Sequence, residues 1–361
     1  MLAGAGHALL YTLARAAAFR ERGHRLTVVG TRPFWYSGLA TGMLGGGYTP
    51  AEDQIDVARL ACMNGAQFID SKVIRIDAER RRLELANGTG VRYDVLGINL
   101  GSEVAPLPGA ADGAVYPVKP IANLARLRRD LEAAFDRRAA PRVVVAGGGA
   151  TGCELAANVA ALARKRGARV EVTLVASSTR LAPQLPPRAS AALERALVGL
   201  GVAVRLPRRV VDAADGALLD DGTVLAYDAL VNATGLRPSS LIGDSGLPTD
   251  ARGALLVDRQ LRSLGDPLVF GGGDCVAIEG CPLPMIGVYA IREAPVLWRN
   301  LLAAADGQPL ARFTPQRRYL WIMNFGDGTG LAARGRWWWH GRTAFRLKDW
   351  LDRRFLARYR C

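Results

Sequence analysis

Residues 142–155 read Arg142-Val143-Val144-Val145-Ala146-Gly147-Gly148-Gly149-Ala150-Thr151-Gly152-Cys153-Glu154-Leu155. A valine run of the kind a parallel sheet buries on both faces enters a glycine cluster, and an Ala/Leu pattern at helical spacing continues to Lys165. Strand, glycine turn and helix in that order are the context in which Gly147, Gly149 and Gly152 act as a dinucleotide fingerprint. The glycines allow a tight turn, a close backbone approach to a pyrophosphate and a close helix–strand contact, while the helix start favours negative charge. Val170–Val175 follows as the next strand of the same unit.

Working outward, the same design recurs near the amino end. Gly4-Ala5-Gly6-His7-Ala8-Leu9 leads to a helix expected over Leu9–Glu21 and a strand over Arg25–Val29. Leu9 stands at the third glycine position, so looser helix–strand packing is expected there. Only Met1, Leu2 and Ala3 precede the motif, so either the first strand is clipped or the start is misassigned. A third strand, Pro267–Phe270, opens into Gly271-Gly272-Gly273-Asp274, where the carboxylate can meet a ribityl hydroxyl, although taken by itself the motif favours a simple helix N-cap. Asn99-Leu100-Gly101-Ser102 and Asn232-Ala233-Thr234-Gly235 are matching strand-to-glycine junctions. Short β-branched runs alternate with longer Ala/Leu/Arg helical patterns throughout, which predicts an α/β protein with parallel sheets and crossover helices.

Neither unit carries the acid expected at the end of its second strand. Gly30-Thr31 follows Val28-Val29, and Ala176-Ser177-Ser178 follows Leu174-Val175. Without that carboxylate a 2′-phosphate meets less repulsion, and Arg180 stands near enough in sequence to pair with one. Arg180 as a solvated charge, and loss of nicotinamide binding altogether, are the alternatives.

With 361 residues, half of them apolar, the chain is long enough for two or three packed domains. It has no apolar run of membrane-spanning length and no signal-peptide pattern, so a cytoplasmic location is expected. The net charge of +14 comes almost wholly from arginine, since the only lysines are Lys72, Lys119, Lys165 and Lys348. Arginine rises together with alanine and glycine, a compositional bias rather than a nucleic-acid footprint. The five cysteines, Cys62, Cys153, Cys275, Cys281 and Cys361, have neither the spacing of a metal site nor that of a redox dithiol. They are expected as small buried apolar residues.

Taken in order, these elements resemble the flavoproteins of the pyridine nucleotide-disulfide oxidoreductase superfamily over almost the whole chain. Within it the chain is similar to the type II NADH dehydrogenase-like branch and to the flavoprotein found alone or fused in front of selenide, water dikinase. The resemblance rests on Tyr36-Ser37-Gly38 leading to Gly42, on Pro117-Val118-Lys119-Pro120-Ile121 and on Pro282–Pro295. Thr314-Pro315-Gln316 and the ending Phe345–Phe355 extend it, while the short first strand and Leu9 depart from it.

The resemblance implies two Rossmann-like three-layer domains, the second inserted in the first, plus a small C-terminal region. Its boundaries would be 1–117 and 243–312 for an FAD domain, 118–242 for an NAD(P)H domain, and 313–361 for the tail. It implies FAD held by Gly4, Gly6, His7, Ser37, Gly42, Val73, Gly101, Gly273, Asp274, Gly287 and Val288. NADH or NADPH would bind as co-substrate at Gly147, Gly149, Thr151, Gly152 and Gly235. Hydride would pass to the flavin and two electrons to a quinone-like acceptor. Glu154 would relay protons, or serve only as a first-turn acid favoured by the helix dipole. Met285-Ile286-Gly287-Val288 would open a helix whose amides approach the flavin pyrimidine. Disulfide reduction is disfavoured, because Phe34–Tyr48 contains no cysteine. A sulfide:quinone oxidoreductase-like enzyme using Cys153 and Cys281, and a flavin-binding sensor with weak turnover linked to selenium metabolism, are the alternatives.

Between Arg334 and Cys361 nine basic residues face only Asp349 and Asp352. Leu347, Trp350, Leu351 and Phe355 recur at helical spacing among Arg346, Lys348, Arg353, Arg354 and Arg358, after Trp337-Trp338-Trp339. This predicts an amphipathic helix suited to an anionic membrane interface, on the inner face of the cell membrane. A helix packed on the body, or a contact within a homodimer, is the alternative.

Overall fold

The computed structural model describes residues 1–110 and 113–360. The elements that build its two main sheets are, in chain order, β1 (Leu2–Ala3), α1 (His7–Leu13), β2 (Thr27–Gly30), α2 (Ser37–Leu44), β3 (Gln67–Asp70) and β4 (Leu96–Ile98). They continue with β5 (Val115–Pro117), β6 (Arg142–Ala146), α3 (Ala150–Lys165), β7 (Glu171–Val175), β8 (Val202–Arg205), β9 (Ala229–Asn232), β10 (Val269–Gly271) and α4 (Gly287–Ala305). The tail adds β11 (Trp321–Asn324), β12 (Gly330–Arg334), β13 (Trp337–Gly341) and α5 (Arg342–Leu356).

The first sheet is parallel with the order β10-β4-β1-β2-β3. β1 is as short as expected, yet it lies at the centre. Its ladder continues on both sides: Gly97 N donates to Met1 O, Asn99 N to Ala3 O and Gly4 N to Val29 O. A flanked strand needs partners rather than length. The helix expected over Leu9–Glu21 divides into His7–Leu13 and Ala17–Glu21.

The second sheet is parallel with the order β5-β9-β6-β7-β8. Val143, Val144 and Val145 of its central strand are all buried, each contributing roughly 1.5–3 kcal/mol of burial. β5 pairs with β9, so Val115–Pro117 belongs to this sheet and the boundary expected after residue 117 moves back. The two crossings between the units pair with each other as an antiparallel ribbon, Ser102–Val104 against Leu236–Pro238.

β11, β12 and β13 form a small antiparallel sheet, and α5 packs on all of them. The single apolar stripe expected along this helix does not form. Phe355 is buried against Tyr36, with ring centroids 4.7 Å apart, whereas Trp350 and Leu351 are exposed. The inward face carries Lys348 and Asp352 instead, because α2 and Tyr36 supply their partners. Among the described residues no helix is long and apolar enough to cross a membrane.

Candidate functional site

Two clefts open at the glycine turns. In the first, Gly4 adopts a φ of +88°, and a Cβ there would lie 2.4 Å from Asn99 O. A Cβ at Gly6 would lie 2.2 Å from Asn99 Oδ1. Glycine is therefore required at both points by one neighbour. That Asn99 side chain accepts from Ala8 N at 3.1 Å and donates to Gly272 O at 2.6 Å, tying the start of α1 to the turn after β10. The sequence marks Asn99 only as part of a strand-to-glycine junction; its span of 173 residues to Gly272 has no local signature.

Asp274 follows that turn. Its carboxylate accepts from Ser102 Oγ at 2.8 Å and from Lys119 Nζ at 3.2 Å, so a lysine just past β5 reaches into the first cleft. Gly101, beside Ser102, has open space where a Cβ would stand. Gly273 N donates to Glu293 Oε2 at 2.6 Å, and burial pushes the Glu293 carboxyl up to about 7. His7, at the start of α1, is held neutral: burial and then Lys119 push its imidazole down to about 4, against the opposing pull of Asp274. Its ring meets Phe34 edge-on with centroids 5.2 Å apart.

Ser37 and Gly287 begin α2 and α4 side by side, a Cβ at Gly287 lying 3.9 Å from Ser37 Oγ. Val288 is half-buried in the first turn of α4. Asp274, Cys281, Met285, Tyr289 and Glu293 line a cavity of about 310 Å³ here. Gly42 sits further along α2, and a Cβ there would meet the Tyr48 ring at 2.5 Å and Asn324 Nδ2 at 2.7 Å, so its smallness serves packing against the tail. Val73 is buried at the start of the strand Val73–Asp77, shortly after β3 ends.

In the second cleft Gly147 has a φ of +124° and faces Ala233 O, 2.1 Å from where its Cβ would be. A Cβ at Gly152 would lie 1.8 Å from Gly147 O, the closest approach in either turn. Gly149 and Gly235 border open space, and Thr151 is exposed. Ala176 stands at the end of β7 against Gly148, leaving no acid there. Arg180 is already engaged, its guanidinium donating to Leu185 O at 3.0 Å and to Pro183 O at 2.5 Å. Arg205, at the end of β8, accepts from Ala176 N through its backbone and has an exposed side chain on the same edge.

Glu154 lies between the clefts. Its Oε1 accepts from Asn324 N at 2.8 Å and from Thr41 Oγ1 at 3.4 Å, joining α3 to β11 and α2. Burial pushes its carboxyl up, against the pull of Lys348 and the Asn324 amide. Lys348 Nζ donates to Gly38 O at 2.6 Å and to Asp352 Oδ2 at 2.8 Å, and Tyr36 OH donates to Asp352 Oδ1 at 2.8 Å. The sequence places Lys348 and Asp352 in a basic tail; nothing local reveals that they turn inward.

The cysteines divide. Cys153 and Cys275 are buried as expected, and burial pushes both thiols up, Cys275 to about 11. Cys153 Sγ lies 3.6 Å from Gly148 O. Cys281 is half-buried in the first cleft, while Cys62 is exposed, contrary to the expectation for both; Cys361 lies outside the described residues. Among the described residues no group of His, Cys, Asp and Glu could hold a metal ion.

The family model described as pyridine nucleotide-disulphide oxidoreductase matches residues 1–300. A nitric oxide reductase FlRd-NAD(+) reductase of Klebsiella pneumoniae is 33% identical over 247 residues, 66% of this chain and 60% of that protein. A type II NADH:quinone oxidoreductase of Haemophilus influenzae is 27% identical over 294 residues, 68% of this chain and 66% of that protein. The chain thus spans about 60% of the length of the first of these relatives. In fold it matches the sulfide:quinone oxidoreductase of Aquifex aeolicus with a TM-score of 0.83 at 16% identity, covering 99% of this chain and 90% of that one.

Proposed function

The chain belongs to the pyridine nucleotide-disulphide oxidoreductase family, and from that premise we propose that it is an FAD-dependent oxidoreductase taking hydride from NADH or NADPH and passing two electrons to a quinone-like acceptor. The observation that carries this reading is the first cleft, where the Gly4 and Gly273 turns, the starts of α2 and α4, and the Lys119–Asp274 pair converge.

FAD bound there would accept a hydride and release electrons in pairs. The chain's own residues do the holding. The glycine turns at Gly4, Gly6, Gly101 and Gly273 bring backbone close to phosphate, and Asp274, steadied by Ser102 and Lys119, offers its carboxylate to a ribityl hydroxyl. Gly287 and Val288 present the positive end of a 19-residue helix, which favours negative charge in front of it. His7, Ser37 and Val73 shape the walls, and Gly42 lets α2 pack closely against the tail behind them. Gly147, Gly149, Thr151, Gly152 and Gly235 form the nicotinamide dinucleotide site. Glu154, its carboxyl pushed up by burial against the pull of Lys348 and the Asn324 amide, is the residue placed to relay a proton between them.

A quinone-like acceptor is supported by the likeness to the type II NADH:quinone oxidoreductase, and by cysteines unsuited to disulfide chemistry. Cys153 is buried with its thiol well above the reactive range, and residues 34–48 carry none. Anaerobic NADH or NADPH should bleach the yellow FAD-loaded protein, and a short-chain quinone should restore the colour. No bleaching by either nicotinamide would overturn the reading.

The same proposal places the protein peripherally on an anionic membrane. Trp337, Trp339, Trp350 and Leu351 are exposed, and the Arg354 guanidinium lies 5.2 Å from the Trp350 ring centre. Since α5 also fills the tail's interior, substitution tests this better than deletion. Trp337→Ala with Trp350→Ala should weaken sedimentation with anionic liposomes at least tenfold; unchanged binding refutes the membrane role.

A further inference from the structure

Glu293 is an acid set in an apolar stripe. Ala290, Ala294, Leu297 and Leu301 of α4 share one buried face, and Glu293 stands among them at 2% exposure. Its carboxyl lies against the turn after β10. Oε2 accepts from Gly273 N at 2.6 Å, and a Cβ at Gly272 would stand 3.3 Å from the same oxygen. Among the described residues that amide is its one hydrogen-bond partner, and no lysine, arginine or histidine pairs with it.

Asp274, the residue after Gly273, lines the same cavity of the first cleft as Glu293. The two carboxyls stand on either side of one amide with unequal support. Asp274 accepts from Ser102 Oγ and from the Lys119 ammonium, whereas Glu293 has a neutral amide alone. FAD would add the negative charge of its pyrophosphate to this cleft. A carboxylate out of water with no cation beside it tolerates such charge least, and it takes up a proton instead.

We propose that Glu293 is a positioning residue for FAD, and that the cofactor binds together with one proton taken up by its carboxyl. The inference rests on FAD occupying the first cleft, as read above. The proton comes from solvent; no covalent bond to FAD forms, and nothing is oxidised or reduced. As a neutral acid Glu293 keeps an oxygen on Gly273 N, which holds the turn that carries Asp274, and it presents an O–H where a negative charge would repel phosphate. Consistent with this, burial pushes the carboxyl up to about 7, against the Gly273 amide and with the help of Asp274. The other groups around it titrate elsewhere. His7 is pushed down to about 4, Cys275 up to about 11, and the Tyr289 phenol above its usual range. At the cavity rim Asp250 is bonded to Arg252, and Glu279 is exposed.

The test measures FAD binding to the full-length chain by flavin fluorescence between pH about 6 and about 9, with Glu279→Gln as control. The FAD-bound form holds the proton more tightly than the free form, so affinity is complete below about 7 and is lost as pH rises through that value. The wild-type Kd should rise by about tenfold per pH unit above it, and Glu279→Gln should follow the wild type. Glu293→Gln cannot ionise yet still offers an oxygen to Gly273 N, so its Kd should stay flat, within about threefold of the wild type at the acid end. Glu293→Ala leaves that amide without its acceptor and should bind at least about tenfold more weakly than Glu293→Gln. A purely structural role would leave Glu293→Gln with the wild-type slope. Mixing FAD with the wild type in weak buffer near pH 8 should also take up about one proton per FAD, a readout that needs no variant to fold. A flat wild-type profile, a Glu293→Gln profile that still slopes, Glu293→Ala binding as tightly as Glu293→Gln, or FAD binding without proton uptake overturns this inference alone. A chain that takes up no FAD at any pH ends the reading of the first cleft instead.

Discussion

The two dinucleotide units solve the same packing problem with different materials. In the second, contact between helix and turn is local: Gly152 approaches Gly147 O so closely that no Cβ fits, and the partners are five residues apart. In the first, Leu9 occupies the corresponding place fully buried, and the helix start is tied down by Asn99, which bridges Ala8 N and Gly272 O. A motif written within six residues can be recognised from those residues. One that borrows its anchor from a distant strand cannot, because the borrowed residue frees the local ones to vary.

That contrast can be broken directly. Leu9→Gly completes the glycine motif as written, yet it should cost about 3–6 kcal/mol in chemical denaturation, since it empties a filled core and adds a helix glycine. A neutral or stabilising outcome would show that the first unit keeps the local solution after all. Gly152→Ala should cost about 1–3 kcal/mol through overpacking. It should also abolish bleaching by NADH and NADPH while FAD absorbance persists, which separates the two units by cofactor. Smallest is Arg180→Ala. Its guanidinium already serves Leu185 O and Pro183 O, so the ratio of NADPH to NADH turnover should move by no more than about twofold, within about 0.5 kcal/mol. A larger drop confined to NADPH would restore Arg180 as a 2′-phosphate partner.

The same distinction explains what was legible in the sequence. Both parallel sheets, the order of glycine turns and the crossings could be read, because each strand and turn carries its own signal. The tail could be read only in part. Helical spacing identified α5, but spacing alone grouped Phe355 with Trp350 and Leu351, which the fold separates. Lys348 and Asp352 count as solvated charges until Gly38 and Tyr36, more than 300 residues earlier, are brought beside them. Asp53, a lone acid in a turn, gives no sign that it will be sealed from water. Long-range polar contacts leave no periodicity behind them.

The ribbon made by Ser102–Val104 and Leu236–Pro238 has a consequence for how such a chain can change. Both ends of the excursion that builds the second sheet are fastened at one spot, so the host sheet does not register how long the excursion is. Its outer turns can be lengthened, shortened or exchanged without altering the strand order of the domain that receives it. The fold therefore behaves as a socket with a replaceable insert, whose two leads are soldered together where they enter.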